Sequence, residues 1–431
     1  MPALCGGPED ALLSAEEWNT SPPEGETLVE RSSVRKLVAT LGSQGVERKE
    51  ACRAKLVVAH GSILVGQGTA FKVGDIVAVV AEGISLEELQ LAARNHGMPL
   101  EALRWDITPI GLHYLLTHYD IPSVDPGVWR LEVDGLVERP LSLSLDEIRA
   151  RPAVELAVTM ECAGNGRAGV EPHVVSQPWL LEAVGTARGR GALLAPLLEE
   201  AGVRGGAVEV LFTGLDRGVE GGEEQDYARS LPLSEVLASE ALLAYEVNGV
   251  PLPPQHGFPL RLVVPGWYGM TSVKWLARVT VIDEPFDGYQ MRHSYRLRQE
   301  EDEAGEPLSR IQARALMVPP GIPEFLTRSR IVPAGRCELG GRAWSGEAPI
   351  AGVEVSTDGG ETWGEAELEP DSLGRWAWRS WRFVWDAAPG EYELCCRARD
   401  VAGSTQPLEP PWNVGGYANN AVQRVAVTVT A

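Results

Sequence analysis

This chain has few of the residues that mark the commonest functional classes. Its 431 residues include only six cysteines, at positions 5, 52, 162, 337, 395 and 396. None forms a CxxC or CxxCH pattern, so neither a zinc knuckle nor c-type haem attachment is indicated, and no haem is expected. No run of about 18 apolar residues occurs, which leaves no candidate membrane-spanning helix. The start, Met1-Pro2-Ala3-Leu4-Cys5-Gly6-Gly7, has no basic stretch followed by an apolar one. Without a secretory or twin-arginine signal the expected location is cytoplasmic, or periplasmic if a leader has been removed. Positive charge is scarce as well: 38 Lys and Arg face 60 Asp and Glu, a formal net charge of −22. Bulk electrostatics therefore disfavour nucleic acid and anionic membrane as partners, and an anionic substrate needs a locally positive funnel. No GxGxxG follows a strand-like run, so a dinucleotide-binding fold is not supported.

What the chain has in quantity is glycine and proline, 47 and 31 residues, which predicts many turns and short strands. Residues 1–93 read as an N-terminal extension or small accessory domain. It holds a loop at 21–26, a helix over 34–41, strands over 56–59 and 62–65 around a His60-Gly61 turn, and a helix over 73–80. Another helix starts at Ser85, where Ser85 and Glu88 fit a capping box. Residues 94–300 alternate short strands (129–135, 208–212, 260–264) with short helices from Ser144 and over 193–201, a mixed α+β texture without a βαβ rhythm. A charged run at 298–303 leads into a solvated connector, 301–325. Residues 326–431 read as all-β, with strands over 352–357, 376–378, 381–385, 392–398 and 422–429 and an Asp358-Gly359-Gly360 turn. This fits an immunoglobulin-like β-sandwich. Cys395 and Cys396 alternate faces in one of its strands as packing residues.

One stretch stands apart. A β-prone run over 156–158 ends at Cys162, and a loop of Gly164, Asn165 and Gly166 follows, carrying Arg167. Glycines let backbone approach a bulky partner closely, and a guanidinium can hold a thiol as thiolate. A lone cysteine is also commonly a buried small hydrophobe, and this stretch by itself leaves both readings open.

Four further motifs follow that loop in order: Tyr245-Glu246-Val247-Asn248-Gly249, His256-Gly257-Phe258-Pro259-Leu260-Arg261, Val264-Pro265-Gly266-Trp267-Tyr268-Gly269 and Val273-Lys274-Trp275-Leu276. The all-β region then carries Ser356-Thr357-Asp358-Gly359-Gly360-Glu361-Thr362-Trp363. Together, over residues 94–431, they resemble the sulfite oxidase family of molybdenum enzymes, a catalytic domain plus a C-terminal dimerisation domain. The resemblance implies a mixed α+β molybdopterin domain followed by the sandwich, with Cys162 as the protein ligand to molybdenum; a thiolate is a soft donor to such a metal. It implies that His118, Tyr227, Ser230, His256, Arg261 and Lys274 hold the pterin and its phosphate, Arg261 as a planar fork and Lys274 as a point charge. It places Arg167 and Tyr295 at the substrate, the tyrosine with one residue more than the usual spacing. The implied activity is oxygen-atom transfer, sulfite to sulfate, with electrons passing to an external acceptor, a cytochrome or oxygen, in a homodimer built through the C-terminal domain.

Several positions depart from the family pattern. Leu116 precedes Thr117-His118 where an arginine is typical, and Gly415 stands where another active-site arginine is found. Arg188-Gly189-Arg190 replaces a usual tryptophan, and Gly269-Met270-Thr271 lacks an arginine. The anion pocket is thereby thinner in positive charge, with Arg188 and Arg190 as candidates to compensate. Two alternatives stay open: a molybdenum-dependent reductase of an S-oxide or N-oxide, and a non-catalytic interaction module.

Overall fold

The computed structural model describes residues 84–431 together with strand residues 26–28, 56–59, 62–65 and 69–72. The chain divides into two units, Met1–Ser85 and Leu86–Ala431. In the first, β1 (Glu26–Leu28), β2 (Leu56–Ala59), β3 (Ser62–Val65) and β4 (Thr69–Lys72) form an antiparallel meander in chain order. Ala59 pairs with Ser62; the turn expected at 60–61 between them lies outside the described residues. The helices expected over 34–41 and 73–80 lie outside the described residues.

The second unit opens with α1 (Leu86–Arg94). Ten strands follow: β5 (Leu131–Gly135), β6 (Leu141–Leu143), β7 (Ala153–Glu161), β8 (Val184–Leu193), β9 (Glu209–Glu220), β10 (Glu223–Pro232), β11 (Leu242–Val247), β12 (Val250–Pro251), β13 (Arg261–Val263) and β14 (Leu276–Ile282). They build two sheets, ordered β10-β9-β14-β5-β6 and β12-β11-β8-β7, with β13 added on β11. Only β14 and β5 run parallel in these sheets. Leu131, Phe212, Leu243, Leu262 and Val279 from both sheets meet in one core, at 0% exposure. α2 (Leu145–Arg149) and α3 (Leu194–Ala201) add Ile148, Leu194 and Leu198 to it. Each such side chain contributes about 1.5–3 kcal/mol on burial. α2 begins where Ser144 and Glu147 close a capping box, each side chain taking the other's backbone N–H.

Residues beyond 310 form two further sheets. One orders Arg314–Met317, Gly335–Trp344, Arg379–Ala387 and Glu367–Leu368. The other orders Ile322–Pro323, Arg330–Pro333, Gln423–Thr430, Gly390–Asp400, Ile350–Ser356 and Gly364–Glu365. Val353, Leu394, Val427, Leu339 and Trp381 fill the space between them. Cys395 and Cys396 are both fully buried.

Two expectations are corrected. The connector assigned to 301–325 is not wholly a connector: Arg314–Met317 is a buried strand paired with Gly335–Trp344, because Ala315, Leu316 and Met317 are apolar enough to enter the core. Residues 376–378 are a turn, not a strand. Gly374 with φ +96° breaks the extended chain there, and the turn docks on β7: Thr159 N donates to the Trp376 carbonyl at 2.9 Å, and Trp378 N to Thr159 Oγ1 at 2.8 Å. The C-terminal sheets and the preceding block thus share a core, in which Met98, Ala163, Tyr268, Tyr295, Trp344 and Trp378 pack together.

Candidate active site

The last five residues of β7 are buried, and the strand delivers Cys162 directly at its end. Cys162 N donates to the Ala183 carbonyl at 2.9 Å, and Asn165 N returns to the Cys162 carbonyl at 3.0 Å. Asn165 locks this turn: its Nδ2 donates to Glu161 Oε1 and its Oδ1 accepts from Ala183 N, both at 3.0 Å. Gly166 sits at φ +89°, and a Cβ there would lie 2.9 Å from Asn419 Nδ2, so only glycine fits. The chain's C-terminal segment clamps the loop from outside. Ala418 N donates to the Ala163 carbonyl at 2.8 Å, Asn419 Nδ2 to the Gly166 carbonyl at 2.7 Å, and Arg167 Nε to the Gly415 carbonyl at 2.8 Å. Behind the loop, Glu161 accepts from Trp344 Nε1 at 2.8 Å and pairs with Arg314 at 2.8 Å.

Cys162 faces a cleft of about 620 Å³. Seven of the nine expected site residues line it together: Cys162, His118, Tyr227, His256, Arg261, Lys274 and Tyr295. Arg167 does not. It is buried beneath the cysteine loop, with its guanidinium also on Ser176 Oγ at 3.1 Å and 4.9 Å from the Tyr417 ring centre. Ser230 is buried in β10 with its hydroxyl unpartnered, off the wall of the cleft. Arg188 and Arg190 point outward from β8 to Glu155 and Glu246, at 3.7 and 3.9 Å, so neither compensates for the missing arginines. Gly415 supplies a carbonyl to Arg167, and Leu116 supplies one to Lys274 Nζ at 2.7 Å.

The groups on the walls are buried, and burial shifts their charges. Burial pushes the Cys162 thiol up, opposed first by the Arg167 guanidinium and then by the Gly164 N–H. His118, His256 and His113 are driven down to about 3, 2 and 4, chiefly by burial, so all three are neutral at pH 7. Burial also lowers Lys274 and raises Asp216, and the attraction between the two opposes both shifts. Arg261 falls to about 10 on burial. Its Nη atoms donate to the carbonyls of His256 and Ser272 at 3.3 and 3.2 Å, while its Nε has no partner. Tyr295 adopts φ +56°, rare for a bulky side chain, and meets His118 Nε2 through its hydroxyl at 2.5 Å. His118 in turn stacks on Tyr227, with ring centres 4.6 Å apart.

Sequence reading missed Asp216, His113, Tyr114 and Met160 on the same wall. Asp216 carried a signal: it shares the inward register of β9 with Val210, Phe212 and Gly214, and a carboxylate there breaks the apolar period.

The cleft fits a molybdopterin on its own evidence. On its wall, Asp216 Oδ1 and Arg261 Nε are buried without hydrogen-bond partners, an orphaned acceptor and donor that a polar heterocycle and its phosphate would satisfy. Among the described residues no three His, Cys, Asp or Glu converge as a metal cage, so a metal on Cys162 needs a cofactor to bring its other donors.

Fold and site together define a molybdopterin-binding oxidoreductase. The model of the oxidoreductase molybdopterin-binding domain matches residues 118–290, and that of the molybdenum-cofactor oxidoreductase dimerisation domain matches 308–430. The chain is 38% identical over 346 residues to mitochondrial sulfite oxidase of Mus musculus, covering 75% of this chain and 62% of that protein. It is 38% identical over 343 residues to sulfite oxidase of Gallus gallus, covering 74% and 72%. With an NADH nitrate reductase of Oryza sativa the identity is 34% over 353 residues, covering 75% and 38%. The crystal structure of the sulfane dehydrogenase SoxCD from Paracoccus pantotrophus superposes with a TM-score of 0.67 at 27% identity, covering 78% of this chain and 86% of that one. The chain belongs to the sulfite oxidase family of molybdenum-cofactor oxidoreductases, and it spans about 62% of the length of the mouse relative.

Proposed function

We propose that this chain oxidises sulfite to sulfate by oxygen-atom transfer and passes two electrons to an external acceptor, a cytochrome or oxygen, as a homodimer joined through its C-terminal sheets. The observation that carries this reading is the convergence of one buried cysteine with His118, His256, Arg261 and Lys274 on a single cleft. Bound molybdopterin would supply the metal and the two-electron chemistry.

The protein's own residues do the rest. Cys162 would ligate the metal through its sulfur. Arg261 Nε and the Lys274 ammonium would meet the phosphate and pterin acceptors, and the Asp216 carboxylate a pterin N–H. Tyr227, on the wall of the cleft, would flank the pterin. Neutral His118 holds the Tyr295 hydroxyl toward the space a substrate would enter. Arg167 stiffens the cysteine loop and opposes the upward pull of burial on its thiol.

The test is sulfite turnover with ferricyanide by protein made with abundant molybdate. We expect turnover in the wild type, and loss of both molybdenum and turnover in Cys162→Ala. A molybdenum-replete wild type that leaves sulfite untouched would sink the reading. A second reading, reduction of an S-oxide or N-oxide, is favoured by one feature: Leu116 and Gly415 offer only carbonyls to their neighbours, which suits a less anionic substrate. Oxidation of a reduced viologen by sulfoxides, without sulfite turnover, would select it.

A further inference from the structure

Arg229 of β10 has no part in the site as described so far. Its side chain is 3% exposed, and its Nε has no hydrogen-bond partner. One Nη donates to the Gln290 carbonyl. The groups that act on its charge are Tyr227, Tyr295 and Tyr417, with Arg296 opposing; no carboxylate is among them. A buried guanidinium without a counter-charge is costly unless an anion comes to it.

Its position says where that anion would be. The guanidinium carbon lies 5.3 Å from the centre of the Tyr295 ring, whose other surroundings include the cleft. Tyr295 packs on Tyr417 at 5.3 Å between ring centres, and Arg167 covers Tyr417. Two guanidinium groups thus bracket two tyrosines, one of which faces the cleft. The other cations of the cleft are those assigned above to the pterin and its phosphate. Lys274 and Arg261 are held by backbone carbonyls, and a second cleft of about 420 Å³ adjoins the Arg261–His256 end, not the Tyr295 end.

We infer that Arg229 is the positioning residue of the substrate subsite: acting through Tyr295, it fixes the phenol ring and supplies the positive potential that draws a small tetrahedral or pyramidal oxyanion to the Tyr295 face of the cleft. This rests on the sulfite reading for the identity of the anion, not for its charge.

The experiment has two independent readouts on the molybdenum-loaded protein. Calorimetric titration with sulfate reads binding without turnover, and steady-state oxidation of sulfite reads KM and kcat. From a unit charge acting across one aromatic ring, Arg229→Gln is expected to weaken sulfate binding and raise KM by roughly ten- to fiftyfold, with kcat changed less than KM. Arg229→Lys is expected to recover most of the loss, and added salt to weaken the wild type more than Arg229→Gln. Equal sulfate binding by wild type and Arg229→Gln would overturn the inference, as would a loss in kcat alone or no sulfate binding by either. Sulfate binding that depends on Arg229 in a wild type that fails to oxidise sulfite would overturn the sulfite reading and leave this one standing. Should Arg229→Gln not fold, a sulfate-soaked crystal of the wild type decides: sulfate seated against Tyr295 supports the assignment, and sulfate only at the Arg261–His256 end, or nowhere in the cleft, overturns it.

Discussion

Glu161 sits one residue before the sulfur, at 3% exposure, and three groups share its carboxylate: Asn165, Trp344 and Arg314. Removing its charge strands Arg314, which is itself 1% exposed. Glu161→Gln is therefore expected to cost about 3–5 kcal/mol of unfolding free energy, read as a shift in the urea midpoint. Gly166 makes a sharper case for conformation alone. Gly166→Ala forces φ +89° on a residue with a Cβ and presses it against Asn419, at a cost of about 1–3 kcal/mol. The same change would displace the Cys162 turn, so molybdenum content per chain is expected to fall more than stability does. Elemental analysis beside a denaturation curve separates the two. Cys162 was singled out in the sequence by the order of the motifs that follow it, since its own glycine-flanked loop left its role open. Arg229 was not, since a lone arginine in a strand looks the same on paper whether it faces water or a tyrosine.

At the scale of elements, the cleft gathers residues from segment 113–118, from β9, β10 and β13, and from the turn before β14. Three of its histidines are kept neutral by burial. A histidine depressed in the folded state binds its proton more readily when unfolded, so stability is full above pH 6.5 and declines as pH falls toward the folded values. Each such histidine removes roughly 1.4 kcal/mol per pH unit over that window. Asp216, raised by burial, works in the opposite sense between pH 4 and 7 and offsets one of them. In cofactor-free protein, the urea midpoint is accordingly expected to drop between pH 6.5 and 5, and a flat profile would contradict the neutral cluster. Strands with clear alternation, such as Gln423–Thr430, were readable from the sequence. The strand Arg314–Met317 was not, because a four-residue buried run beside a charged segment has no period to detect.

For the whole molecule, the separation of Met1–Ser85 from Leu86–Ala431 predicts that a chain beginning at residue 84 folds and keeps its molybdenum; an insoluble or metal-free product would refute that. Sedimentation equilibrium of the full chain is expected to give twice the chain mass, in line with the dimerisation-domain match over 308–430. The order of the motifs was enough to read the family from the sequence. The cooperation between the two halves of Leu86–Ala431 was hidden, since it lives in side chain-to-backbone hydrogen bonds between residues 248 and 253 positions apart.

Those contacts set a timetable for biosynthesis. The turn bearing the sulfur borrows hydrogen bonds from Gly415, Ala418 and Asn419, which leave the ribosome well after the turn itself. A nascent chain stopped at residue 412 would carry every candidate cofactor contact and still lack the brace that shapes the metal-binding turn. Cofactor insertion is then expected to wait until residue 419 has been made, and products terminated before it are expected to lack molybdenum.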